Sequence, residues 1–166
     1  MDISQITDYL YVGAEPDAAR AEELLALGVR LVISMRGEKR PPAVFGQPPL
    51  SLLWLRTYDT IFTPIRVRTL AQGVRAALPV IETGGRVLIH CQRGRHRSAA
   101  MAAAVLIARG QSARGAMRLL RERRQLADPY IWYIRRQIEK FEKHWRNHPS
   151  PLPPTPPPLP AGEGEG

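Results

Sequence analysis

The twelve residues V-L-I-H-C-Q-R-G-R-H-R-S at positions 87–98 limit the fold more than any other stretch. An aliphatic run leads into Cys91, five residues separate Cys91 from Arg97, and the apolar run Ala99–Ala108 follows at once. That run is too short to cross a bilayer, which takes about 20 residues, so it reads as a buried helix. A buried strand that passes through so short a loop into a buried helix requires a sheet with helices packed on it.

The rest of the chain supplies such a sheet. Leu10–Gly13, Arg30–Ser34, Leu52–Leu55 and Arg86–His90 have strand character. Asp17–Leu27 has helical spacing at Ala18, Ala21, Leu24 and Leu25 and closes at Gly28. Thr63-Pro64 opens a helix to about Glu82, which Gly84-Gly85 breaks. Ser98–Arg109 is predicted helical up to Gly110, and Ser112 caps a further helix through Arg123. Asp128-Pro129 starts a last amphipathic helix that runs to roughly Trp145. Between Arg36 and Pro49 four prolines forbid a central strand or helix. Alternating strands and helices predict an α/β fold with a mostly parallel sheet flanked by helices.

At 166 residues and 44% hydrophobic content there is room for one domain, expected over residues 1–148. Residues 149–166 hold 8 of the 16 prolines and end in Gly-Glu repeats, a composition expected to be extended or disordered. The PxxP at Pro151–Pro154 follows from that composition alone. The single cysteine excludes an internal disulfide and fits a reducing, cytoplasmic setting, and no secretory signal opens the chain.

Net charge is +9, and its placement matters more than its size. Arg86–Arg124 contains ten arginines, no lysine or aspartate, and one glutamate, so this segment alone carries 10 − 1 = +9. Such a field favours an anionic ligand, although helical arginines also serve as solvated faces. Arginine fills 21 of the 166 positions, so a Cys-x5-Arg spacing by itself says little. Its context says more. A loop between strand and helix can turn successive N–H groups toward one point at a helix N-terminus, forming an anion nest. Gly94 permits the torsions this needs, and Arg97 adds a planar fork for two phosphate oxygens. The same groups favour a thiolate, so Cys91 is expected well below the free thiol value of about 8.5. A buried structural cysteine is the alternative, and the flanking strand, glycine, arginine and helix all argue against it.

HCQRGRHRS resembles the His-Cys-x5-Arg-Ser signature of the cysteine-dependent protein tyrosine and dual-specificity phosphatases. The resemblance implies that Cys91 attacks phosphorus to form a phosphocysteine. It also implies that Arg97 clamps the phosphate, Ser98 helps the thiolate leave, and His90 orders the loop. Gln92, Arg93, Gly94, Arg95 and His96 would surround the phosphate together with Arg97. The leaving oxygen needs an acid, a contribution of about 10²–10⁴ in rate. Asp59 stands 32 residues before Cys91, at the family's distance for that acid, and is the only carboxylate between Glu38 and Glu82. A surface aspartate or a helix cap near Thr60 is the alternative for Asp59. The similarity runs from about residue 3 to residue 145, through I-T-D-Y-L-Y-V-G13, E-L-L-A-L-G-V-R-L-V-I33 and the stretch Tyr130–Glu142.

The loop departs from the family at Arg93 and His96, where small residues are usual, and Arg95 adds further charge. Phosphatases for phosphoinositides or RNA 5′-phosphates carry such groups, which gives a second substrate class beside phosphotyrosine and phosphoserine or phosphothreonine. A non-catalytic phosphate-binding module is the reading from outside the enzymes. No cofactor is expected, and the four histidines and one cysteine lack zinc-ligand spacing. Expected partners are a phosphorylated protein or another anionic phosphomonoester. Nucleic acid ranks low because no aromatic stacking pattern accompanies the charge.

Overall fold

Five strands, Ile3–Thr7 (β1), Leu10–Ala14 (β2), Val29–Arg36 (β3), Ser51–Thr57 (β4) and Arg86–Cys91 (β5), make one sheet in the order β1-β2-β5-β3-β4. The computed structural model describes residues 1–148, so the proline-rich stretch 149–166 with its PxxP lies outside the described residues. β2, β5, β3 and β4 run parallel, and β1 joins the edge antiparallel to β2. The expected mostly parallel α/β sheet is therefore present. β5 lies at its centre, and Val87–Cys91 are all buried, as a strand covered on both faces must be.

Helices Val67–Glu82 (α2), Arg97–Ala108 (α3), Ala113–Arg123 (α4) and Trp132–Asn147 (α5) pack with one face of the sheet into the larger core. The short helix Ala21–Ala26 (α1) and a 3₁₀ turn at Ala43–Gly46 cover the other face, around Tyr11, Leu24, Val32, Phe45 and Leu88. α3 is the central helix, with every side chain from Ala99 to Leu106 fully buried. Alanine-rich packing lets neighbouring helices approach closely. At Gly73 of α2 a Cβ would come within 2.4 Å of the Met101 sulfur.

Several boundaries moved for local reasons. β1 has only Ile3 and Ile6 as apolar residues, too weak a pattern to announce an edge strand. α2 starts at Val67 instead of Pro64, because Thr60 takes the amides of Phe62 and Thr63 into a turn first. Likewise Asp128 accepts the Tyr130 amide in a turn, which delays α5 to Trp132. The stretch expected as one helix at Asp17–Leu27 divides into a 3₁₀ turn, Ala18–Arg20, and α1. Ser112 caps α4 as expected, accepting the Gly115 amide at 3.0 Å.

The parallel strands point their C-terminal ends the same way. The residues that follow them, Glu15, Glu38, Asp59 and the Cys91 loop, therefore come from distant parts of the chain to one edge of the sheet. In open α/β sheets this is the edge where ligands bind.

Candidate active site

Cys91 closes β5 and lies at the floor of a hollow of about 290 Å³ lined by Asp59, Cys91, Gln92, Arg93, Arg95, His96 and Arg97. Its Sγ accepts the Gly94 amide at 3.2 Å and stands 3.2 Å from Ser98 Oγ. Burial pushes the thiol up, but other groups outweigh it and hold Cys91 below the ordinary thiol value. These are the Ser98 hydroxyl, the amides of Ser98 and Arg95, and the charge of Arg97. Gly94 has φ +67°, and a Cβ there would sit 2.4 Å from the Gly13 carbonyl carbon. Only glycine fits both the torsion and the space.

The loop is held from behind by a residue that sequence reasoning left in a general basic field. Arg124, 4% exposed, donates from Nε to the Gly94 carbonyl and from Nη2 to the Arg93 carbonyl, each at 2.9 Å. It also pairs with both oxygens of Asp2 and reaches Ser4. The Asp128 amide donates to the Arg95 carbonyl at 2.8 Å. With these carbonyls drawn outward, the amides of Gly94, Arg95 and Ser98 face the Cys91 sulfur. The arginines of 86–124 thus divide by role. Arg93 and Arg95 are exposed at the hollow, Arg124 is internal scaffolding, Arg86 bonds Tyr11 and the Leu27 carbonyl, and Arg109 lies over Tyr9.

Arg97 opens α3 and is 4% exposed. Its Nη1 and Nη2 form a fork to Glu38 at 2.7 and 3.0 Å, and Nη1 also donates to the carbonyls of Met35 and Thr57. The hydrogen bond from Arg97 lowers Glu38 to about 2, against some desolvation. Arg36, itself paired with Glu15 at 2.6 Å, donates to Glu38 as well. The Arg97 Nε is buried and unpartnered, and Nη2 keeps a second N–H beyond its bond to Glu38, which leaves that side of the guanidinium for an anion. Glu38 is a residue that sequence reasoning missed. It follows β3 in a proline-rich loop, and no spacing relates it to position 97.

Asp59 reaches the hollow as expected, and it does not cap a helix, since Thr60 captures the nearby amides. Its carboxylate accepts from the Tyr133 hydroxyl at 2.7 Å on Oδ1, and Oδ2 lies 2.9 Å from His96 Nδ1. His96 therefore lines the hollow but gives its ring nitrogen to the aspartate. Tyr133, in the first turn of α5, carried no signal beyond its place in an amphipathic helix. His90 is fully buried beneath the loop, with Nδ1 3.4 Å from the Cys91 carbonyl and Nε2 unpartnered. Burial lowers it to about 4, so it is neutral at physiological pH. Gln92, the remaining candidate, is exposed at the hollow.

The family described as "Dual specificity phosphatase, catalytic domain" matches residues 10–144. Dual specificity phosphatase 28 of Mus musculus is 25% identical over 141 residues, 84% of this chain and 83% of that protein. The Homo sapiens protein of the same name is 27% identical over 140 residues, 84% of this chain and 77% of that one. Among solved structures, PTPMT1 superposes with a TM-score of 0.80 at 26% identity, covering 89% of this chain and 98% of its own.

Proposed function

The chain belongs to the dual specificity phosphatase catalytic-domain family and is a cysteine-based phosphatase; from that premise we propose that it hydrolyses phosphotyrosine, and phosphoserine or phosphothreonine with it, through a phosphocysteine at Cys91. In the first step the Sγ–P bond forms as the bond from phosphorus to the leaving oxygen breaks, and Asp59 gives that oxygen a proton. In the second, water attacks phosphorus, its proton goes to the Asp59 carboxylate, and the S–P bond breaks to restore the thiolate. Ser98 Oγ, beside Sγ, stabilises the departing sulfur. The amides of Gln92 to Arg97 and the free Arg97 Nε receive the phosphate oxygens, with charge stabilisation strongest where it develops in the transition state. His90 stays neutral under the loop and supports the Cys91 carbonyl.

One observation carries this reading: the lowered thiol of Cys91, Arg97 and Asp59 share a single hollow. A binding module needs the anion nest alone, whereas here a nucleophile and a proton donor face it together. The test is hydrolysis of a generic aryl phosphate by wild type and Cys91→Ser with EDTA present throughout. Turnover that vanishes in the variant and ignores EDTA is expected. Absence of turnover by the folded, reduced wild type would favour a phosphate-binding module.

A second substrate class, phosphoinositides, is favoured by the exposed Arg93 and Arg95 at the hollow. It also draws support from the likeness to PTPMT1 in complex with PI(5)P, at TM-score 0.79 and 25% identity. Competition of a phosphotyrosine peptide against an inositol phosphate ranks the two. The catalytic unit on this reading is residues 1–148. Its lone thiol suits a reducing, cytoplasmic compartment, and among the described residues no helix is long and apolar enough to cross a membrane.

A further inference from the structure

Both oxygens of Asp59 are engaged by side chains from outside its own segment. Tyr133 Oη donates to Oδ1 at 2.7 Å, and His96 Nδ1 lies 2.9 Å from Oδ2. Tyr133 and His96 also touch each other, with Oη 3.4 Å from Nδ1 and the rings edge to face at 6.0 Å. The three residues come from the turn after β4, the Cys91 loop and the first turn of α5. They join the proton-transfer group to the phosphate loop and to the last helix at once. Asp59 stands on an exposed turn, so without such partners its carboxylate would sample many positions. His96 Nε2 is buried with no partner. An unpaired buried acceptor is more readily tolerated than an orphaned N–H, which favours the tautomer with its proton on Nδ1, toward Asp59.

We propose that His96 and Tyr133 are positioning residues for the proton-transfer carboxylate of Asp59, holding it over Cys91 through both catalytic steps. As Asp59 gives its proton to the leaving oxygen, the two donors take up the carboxylate that forms. They then present that carboxylate to the water that attacks the phosphocysteine, from which it regains a proton. Tyr133 remains a donor throughout, since burial and the bond to Asp59 raise it to about 12. The His96 side chain on this account acts on the proton transfer and not on the phosphate, although it projects from the Cys91–Arg97 loop.

The inference rests on Asp59 being the acid, and leaving-group dependence tests the two claims separately. A good leaving group such as 2,4-dinitrophenolate needs no proton, whereas phenolate does. kcat/KM, which reports the first chemical step, is measured on phenyl phosphate and on 2,4-dinitrophenyl phosphate. The variants are Asp59→Asn, His96→Ala, His96→Asn, Tyr133→Phe and Asp59→Asn with Tyr133→Phe. Asp59→Asn should lose far more on phenyl phosphate than on the activated ester. Because small misplacements of reacting groups cost up to about 10², Tyr133→Phe and His96→Ala should lose roughly tenfold or more on phenyl phosphate beyond their loss on the activated ester. His96→Asn restores a donor near Nδ1 and should recover part of that loss. The double variant should fall no further than Asp59→Asn alone, because residues that act as a unit are non-additive.

Equal losses on the two esters in Tyr133→Phe and His96→Ala overturn the positioning role and leave the acid in place. Equal losses in Asp59→Asn overturn the acid assignment and the positioning role with it. Tyr133→Phe removes a single oxygen, so the test stands even where His96→Ala fails to fold.

Discussion

Glu38 shows how much one side chain outside the signature decides. Arg97 is buried, and its cation is held in place by a two-pronged bond to a carboxylate that also bonds Arg36. Bidentate pairing fixes the plane of the guanidinium as well as its position. Glu38→Gln keeps the size and one acceptor but removes the charge and the second prong. Arg97 then loses its fixed plane, and turnover on an aryl phosphate should fall roughly ten- to hundredfold. Phosphate inhibition constants should weaken in parallel, because the same guanidinium holds the bound anion. Unchanged turnover and inhibition would show that the carbonyls of Met35 and Thr57 orient Arg97 by themselves.

At the scale of elements, the active loop depends on a residue just past the end of α4. Arg124 holds the Arg93 and Gly94 carbonyls on one side and Asp2 and Ser4 of the N-terminal edge on the other. It thereby ties β1, the Cys91 loop and the α4 terminus together. Arg124→Ala leaves two carbonyls without a donor, one of them buried at Gly94, at a cost of about 1–3 kcal/mol for each buried group left unpaired. Lower thermal stability is expected, together with a turnover loss larger than that stability change explains, because the carbonyls are free to rotate inward. Measuring melting temperature and turnover on the same preparation separates the two effects. A stability loss with full turnover would mean that Gly94 and the Asp128–Arg95 bond alone shape the loop.

For the whole molecule, the buried titratable groups set how it responds to acid. His90 titrates near 6.5 when unfolded and is lowered to about 4 by burial. Between those values the unfolded chain binds more protons than the folded one, so stability rises with pH across this window. The stabilisation is complete above about pH 6.5 and is lost as pH falls toward 4, by roughly 3 kcal/mol in all. Glu38, lowered from 4.5 to about 2, adds a second loss below about pH 4.5 with the same sign. Its exposure makes that part smaller. Melting temperature followed from pH 7.5 to 4.5 should fall, and a folded His90→Asn variant should flatten the curve. An equally steep fall in that variant would assign the acid sensitivity elsewhere.

What the sequence determined on its own was what adjacent residues can carry. The aliphatic run into Cys91, the short loop with Gly94, and the alanine-rich stretch after Ser98 are contiguous, and local sterics and burial dictate strand, turn and helix there. The parallel sheet and the likeness to a phosphatase loop followed, and Asp59 could be picked out because its segment offers no other carboxylate. Tertiary structure decided what lies beyond the reach of neighbours along the chain. Glu38 meets Arg97 across 59 residues, Arg124 meets Asp2 across 122, and Tyr133 meets Asp59 across 74. None of these pairs leaves a periodicity or a spacing. Parallel strands bring the turns bearing Glu38 and Asp59 to one edge of the sheet, and the buried charges of Arg97 and Arg124 must find partners there.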